Sequence, residues 1–156
     1  MDADKRRSEN LMRDVVLNQT NEQFRHAELT ETIIGTFYEV YNELGHGFLE
    51  SVYEKSLAIA LRDKGLEVFE QISVPVHFRG RQVGDFCADL LVNRIVILEL
   101  KAARSIDPAH IAQILNYLRA TQIEVGLLLN FGPKPEFKRV AFGNDRKSGQ
   151  DRIYTI

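Results

Sequence analysis

The chain has 156 residues, 44% of them hydrophobic and 27% charged, which is the size and balance of one soluble globular domain burying about two-thirds of its unfolded surface. A formal net charge of -2 excludes a global attraction to nucleic acid, so any such contact needs a local basic patch or a metal ion. The single cysteine, Cys87, excludes an internal disulfide and a Cys-based zinc site, and four scattered histidines argue against a His-rich one.

No apolar run reaches transmembrane length, and Met1 to Arg7 lacks the apolar core of a signal peptide. The expectation is a cytoplasmic protein without a membrane partner. Residues 1–26 are polar with scattered apolar positions (Leu11, Met12, Val15, Val16, Leu17) and read as a mobile or loosely helical arm. The folded domain is expected over residues 27–142, and a polar tail over 143–156, where Arg152 to Ile156 could add an edge strand.

From Leu29 to Leu44, apolar residues recur at three- and four-residue spacing, which predicts an amphipathic helix with Thr30 as N-cap and Gly45 as stop. A second helix is predicted from Leu49 to Lys64, ended by Gly65. Leu66 to Val74 reads as a strand broken at Pro75 and continued over Val76 to Phe78. Arg79-Gly80 then turns the chain into a strand leading from Gln82 to Asp89. Asp107 and Pro108 announce a helix with Ile111, Ile114, Leu115 and Leu118 as its core stripe. Glu124 to Asn130 is a further buried strand, and Phe137 to Phe142 a last short one. The crossover from Lys101 through the Pro108 helix to Leu127 has the length of a βαβ unit. This order predicts an α/β sandwich, a mixed sheet flanked by helices.

The central stretch runs from Asp85 to Ala102 as two apolar strands joined by Asn93-Arg94, and it carries charges where a buried sheet should carry none. Side chains alternate faces along a strand. If Asp89 sits opposite Glu99, both carboxylates and Lys101 share the odd-numbered face, and the even-numbered face (Ala88, Leu90, Val92, Val96, Leu98, Leu100) is wholly apolar. Two buried carboxylates cost several kcal/mol unless a cation compensates. Lys101 supplies one positive charge, and a divalent metal would supply the rest. An Asp, a Glu-x-Lys and a hard cation are the parts of a metal-dependent phosphodiesterase site.

Other residues stay open on their own spacing. Glu50 lies three residues before Tyr53 on one helix face, and reads first as an acid favoured near a helix N-terminus. Gln113 and Tyr117, four apart, present an amide and a phenol on one face, suited to orienting a phosphate or a water or equally to a boundary position. His110 could assist with phosphate or lie at the surface. Lys134, Lys138 and Arg139 form a small basic group, read first as a solvated face and second as a nucleic-acid contact.

Together these stretches resemble a known family. Gly47-Phe48-Leu49-Glu50-Ser51-Val52-Tyr53 reads as a GxxExxY signature, and Phe86 to Val92, Leu98 to Ala102, Gln113 to Leu118 and Gly126 to Gly132 follow in the family's order. Over about residues 29 to 141 the chain resembles the GxxExxY proteins, a group of the PD-(D/E)XK nuclease superfamily. The resemblance implies a restriction-endonuclease-like core over 27–142 and a Mg²⁺- or Mn²⁺-dependent nuclease acting on DNA. Asp89, Glu99, the Leu100 backbone carbonyl and Glu50 would hold the metal, and Lys101 would position or activate water. Gln113 and Tyr117 look like the QxxxY element of the RecB-type exonuclease branch. One departure is Cys87, at a position often basic in such proteins, where a missing cation would weaken phosphate binding. The second reading is a non-catalytic nucleic-acid-binding or accessory module. The full set of site residues favours the nuclease, whereas the acidic balance favours the module, or a nuclease recruited by a protein partner or acting as a homo-oligomer.

Overall fold

The structure, a computed structural model, describes residues 3–10 and 26–147. Of the expected N-terminal arm, residues 3–10 form a short helix, α1, and residues 11–25 lie outside the described part. The expected edge strand over Arg152 to Ile156 also lies outside it. The elements in order are α2 (Ala27–Leu44), α3 (Glu50–Asp63), β1 (Val68–Phe78), β2 (Arg81–Val92), β3 (Val96–Lys101), α4 (Pro108–Ala120), β4 (Val125–Phe131) and β5 (Pro135–Ala141). A short 3₁₀ turn, Asn144–Arg146, follows. No helix among the described residues is long and apolar enough to cross a membrane.

The five strands form one sheet in the order β1-β2-β3-β4-β5. Only β3 and β4 run parallel; every other neighbouring pair is antiparallel. The parallel step is the βαβ crossover through α4. Helices α2 and α3 cover one face, packing Ile33, Phe37, Tyr53, Leu57 and Leu61 on Leu90, Val92, Leu98, Leu100, Leu127 and Leu129. Helix α4 covers the other, packing Tyr117 and Leu118 with Leu91, Ile97 and Ile123. This is the mixed sheet with flanking helices of a restriction-endonuclease-like α/β fold.

The β1–β2 and β2–β3 hairpin turns follow from local backbone chemistry. Asn93 (φ 52) and Arg94 (φ 58) are both left-handed, and the Ile95 N–H donates to the Val92 carbonyl at 2.9 Å. A two-residue turn with positive φ at both centres matches the strand twist. Arg79 (φ 49) and Gly80 (φ 75) make the β1–β2 turn in the same way.

Three expectations are corrected. Helix α2 begins at Ala27 with His26 as N-cap, not Thr30; Thr30 is buried inside the first turn and its hydroxyl donates to the Ala27 carbonyl at 3.0 Å. Pro75 does not break β1, since that strand is at the sheet edge and Pro75 keeps its register opposite Asp85; a proline's missing N–H is tolerated on an edge. The even-numbered face is not uniform, because Ala88 packs with Leu91 and Ile97 on the α4 side while Leu90 and Val92 face α2 and α3. Alternation along β2 therefore slips at Asp89.

Two close approaches hold the crossover. At Gly126, a Cβ would lie 2.7 Å from the tip of Ile114 on α4. At Gly132, a Cβ would collide with the Ala103 carbonyl oxygen. Backbone cannot yield there as a side-chain tip can, so Gly132→Ala should destabilise the protein by about 1–3 kcal/mol in urea unfolding. An unchanged midpoint would show that the Ala103 segment moves freely.

Candidate active site

The site is built where β2 leaves β3. Their ladder runs Val92↔Val96, Leu91↔Ile97, Leu90↔Leu98 and then stops, while β2 stays paired with β1 as far as Arg81. The next opposed residues are Asp89 and Glu99, and their carboxylates take up backbone donors at the fork. The Leu100 N–H donates to Asp89 Oδ2 at 2.8 Å, and the Asp89 N–H donates to Glu99 Oε1 at 3.4 Å.

Glu99 is only 6% exposed in the central strand. Burial, then the Asp89 charge, push its carboxyl up to about 8, against the pull of the Asp89 N–H and of Lys101. Asp89 is raised as well, first by burial and then by the Glu50 charge, while the Leu100 N–H and Lys101 act to lower it. The expected pair is thus adjacent and mutually repulsive, with Lys101 at the end of the same strand.

Glu50 is exposed at the start of α3, and its Oε1 accepts from the Ala102 N–H at 3.4 Å, which ties the helix to the end of β3. The motif around Glu50 has a mechanical reason. The Tyr53 hydroxyl donates to the Gly45 carbonyl at 2.7 Å and accepts from the Phe48 N–H at 3.2 Å, and its ring stacks on Phe131 at 4.2 Å. Gly47 has φ 109, a conformation open to glycine and costly for other residues. Gly47 and Tyr53 therefore fix the loop that aims Glu50.

Tyr117 is buried on α4 with its ring stacked on Phe86 at 3.6 Å, and its phenol is pushed up to about 12 by burial and then by the charges of Glu99 and Asp89. It faces the acids. Gln113, one turn earlier on α4, has an exposed side chain. His110 is the return half of a capping box: its Nδ1 accepts from the Asp107 N–H at 3.3 Å, while Asp107 Oδ1 accepts from Ala109 N–H at 2.8 Å. Lys138 and Arg139 are neighbours in β5, so they face opposite sides and form no single basic patch.

Three residues went unread in the sequence. Glu54 lies one turn after Glu50, and its carboxyl is raised mainly by burial, with the Asp89 charge adding to the shift; the i,i+4 spacing was its signal. Gln71 donates to Glu54 at 2.6 Å and accepts from the Cys87 thiol at 3.0 Å; its signal was the pair of polar residues Glu70-Gln71 interrupting strand alternation. Asn130, fully buried in β4, clamps the backbone after β3, accepting from Ala103 N–H at 2.9 Å and donating to its carbonyl at 3.0 Å. A lone amide inside an apolar strand was its signal.

Among the described residues no three His, Cys, Asp or Glu side chains converge closely enough to hold an ion. A zinc-type cage is therefore absent there. A carboxylate pair with adjacent backbone oxygens instead suits a hard cation such as Mg²⁺ or Mn²⁺, which binds through one or two carboxylates and completes its shell with waters and substrate oxygens. The mutual repulsion of Asp89 and Glu99 is what such a charge would relieve.

Residues 27–140 match the family described as the PD-(D/E)XK nuclease superfamily. No curated protein matches the chain. The crystal structure of SSO0001 is similar at 16% identity and a TM-score of 0.47, over 60% of this chain and 50% of that one.

The Glu99 shift predicts a pH signature. Below about 4.5 the carboxyl is protonated in both folded and unfolded chains, and it contributes no difference. As pH rises toward about 8 the unfolded carboxyl ionises while the folded one resists, so stability is lost across that window. Glu99→Gln lacks this loss. In chelator-treated protein it should melt near wild type at pH 5 and above wild type by pH 8, by up to a few kcal/mol at ~1.4 kcal/mol per pH unit. A variant less stable at both pH values would make Glu99 a structural acceptor.

Proposed function

Since the chain belongs to the PD-(D/E)XK nuclease superfamily, we propose that it is a Mg²⁺- or Mn²⁺-dependent nuclease that hydrolyses phosphodiester bonds of DNA in the cytoplasm. The observation that carries the reading is the Asp89–Glu99 pair at the β2–β3 fork, Glu99 buried and Asp89 half-buried, with Lys101 on the same strand as Glu99. Within the superfamily we assign the chain to the GxxExxY group on Gly47, Glu50 and Tyr53, whose loop clamp gives that spacing a function. The Gln113–Tyr117 spacing supports the RecB-type branch.

Asp89, Glu99 and the Leu100 carbonyl would hold the ion, with Glu50 at the rim. When bound, such an ion supplies Lewis-acid polarisation of the phosphate and a water acidic enough to attack near neutral pH. The protein's own groups do the rest. Lys101 lies one same-face step from Glu99, so its Nζ can donate to a phosphate oxygen and hold the attacking water in line. The water oxygen would bond to phosphorus and give up a proton to solvent, the bond to the leaving deoxyribose oxygen would break, and that oxygen would take up a proton from solvent. Gln113, exposed on α4, is available to the substrate phosphate. Tyr117, kept protonated by burial and by the neighbouring acids, keeps a hydroxyl proton that it can donate to the substrate.

The test is cleavage of single-stranded DNA, double-stranded DNA and RNA with Mg²⁺ or Mn²⁺. Lys101→Ala should lose about 100-fold or more in turnover, ~2.7 kcal/mol of transition-state stabilisation. Gln113→Ala should lose about 10-fold in turnover with little change in metal affinity. Tyr117→Phe should be milder, since the ring keeps its stacking and one hydrogen bond of about 0.5–1.5 kcal/mol is lost. Cleavage of RNA alone would correct the substrate. No cleavage under any divalent ion, or equal cleavage by Lys101→Ala, would refute the nuclease assignment.

A further inference from the structure

Gln71 is the one residue of β1 with a left-handed backbone, φ 51 in the middle of an eleven-residue strand. A non-glycine residue held there marks a place where the surrounding structure imposes the conformation. The β1–β2 ladder pairs Glu70 with Leu90 and Ile72 with Ala88, and it is interrupted at Gln71 and Asp89, which face each other between them. This is also where alternation in β2 slips, with Ala88 and Leu90 packing on opposite faces of the sheet. The strain and the slip therefore have one location, beside the carboxylate pair.

What the distortion achieves is visible in the Gln71 amide. Its Nε2 donates to Glu54 Oε1 at 2.6 Å, and the same side chain is close enough to Asp89 to act to lower its carboxyl. Its Oε1 accepts from the Cys87 thiol at 3.0 Å. A primary amide has two N–H donors and one carbonyl acceptor; Glu54 takes one donor and Cys87 the acceptor, which leaves the second N–H for Asp89. The two acids it joins repel each other and come from different layers, Glu54 from α3 and Asp89 from β2. A neutral two-donor group is suited to hold both without adding charge. Glu54, an acceptor, fixes which end of the amide carries the donors, and the Cys87 thiol meets the other end.

We propose that Gln71 is a positioning residue for the metal site, a strained amide bridge that sets the orientation of Asp89 by tying it to Glu54. The inference rests on the metal-dependent reading of Asp89 and Glu99. Groups that orient a ligand in this way typically matter 10- to 100-fold in affinity.

The test uses the full chain with Gln71→Gly and Gln71→Asn, two residues that tolerate the left-handed backbone. Glycine removes the amide, and asparagine keeps it one methylene short. Mn²⁺ affinity by titration calorimetry should fall roughly 10- to 100-fold in both variants. The melting temperature of the metal-free Gln71→Gly protein should equal or exceed that of wild type, because the backbone strain is relieved. A residue with a merely structural role would lower stability and leave affinity alone. Wild-type affinity in both variants, or unfolding of both without metal, overturns the assignment of Gln71 and leaves the metal reading standing. A wild-type protein that binds no Mn²⁺ overturns the metal reading, and this proposal with it.

Discussion

The parting of β2 from β3 after Leu90 and Leu98 is the constraint on which the site depends. An antiparallel ladder that stops inside a sheet leaves backbone N–H groups without their strand partners, and where these are partly buried they need others. Here the stranded donors belong to Asp89 and Leu100, and carboxylates satisfy them. The acids are thus demanded by the fold at the place where their charges are hardest to accommodate. Glu99 carries the larger consequence, being nearly inaccessible and beside another acid. Stability and reactivity pull against each other at one pair of side chains.

Three neutral or capping contacts keep the elements around this pair in place, and each acts on backbone. Tyr53 ties the 45–48 loop to α3 and so fixes the entry of Glu50. Asn130 makes two hydrogen bonds to Ala103, two residues beyond Lys101, and Gly132 leaves room for that carbonyl. Asp107 and His110 close the first turn of α4, which carries Gln113 and Tyr117. Polar groups satisfied in this way, Tyr53 and Asn130 of them buried, specify one arrangement of the backbone.

The central hairpin, the βαβ crossover and the Asp107 cap were legible because each rests on a local rule: turn residues between apolar runs, crossover length, and a cap followed by proline. Asp89 opposite Glu99 was legible because alternation through the Asn93-Arg94 turn fixes register. What could not be read was non-local. Alternation placed Ala88 with Leu90, but the distortion at Gln71, on another strand, moves Ala88 to the other face. Thr30 has the chemistry of an N-cap, yet tertiary packing carries α2 back to Ala27. Glu54 and Asn130 look ordinary until the fold brings Asp89 to one and Ala103 to the other.

The fork also explains why the site draws on both helical layers. Through the middle of a sheet, α3 and α4 are separated by the full thickness of the strands, and a charge on one scarcely reaches the other. At the point where β2 turns away, that partition ends. Glu50 and Glu54 from α3 raise the carboxyls of the pair from one side, and the pair raises the Tyr117 phenol on α4 from the other. A cation at the fork would be felt by every one of these groups at once. The layers that build the core separately therefore act as one electrostatic unit only at the end of the sheet, where Glu50 is exposed to solvent.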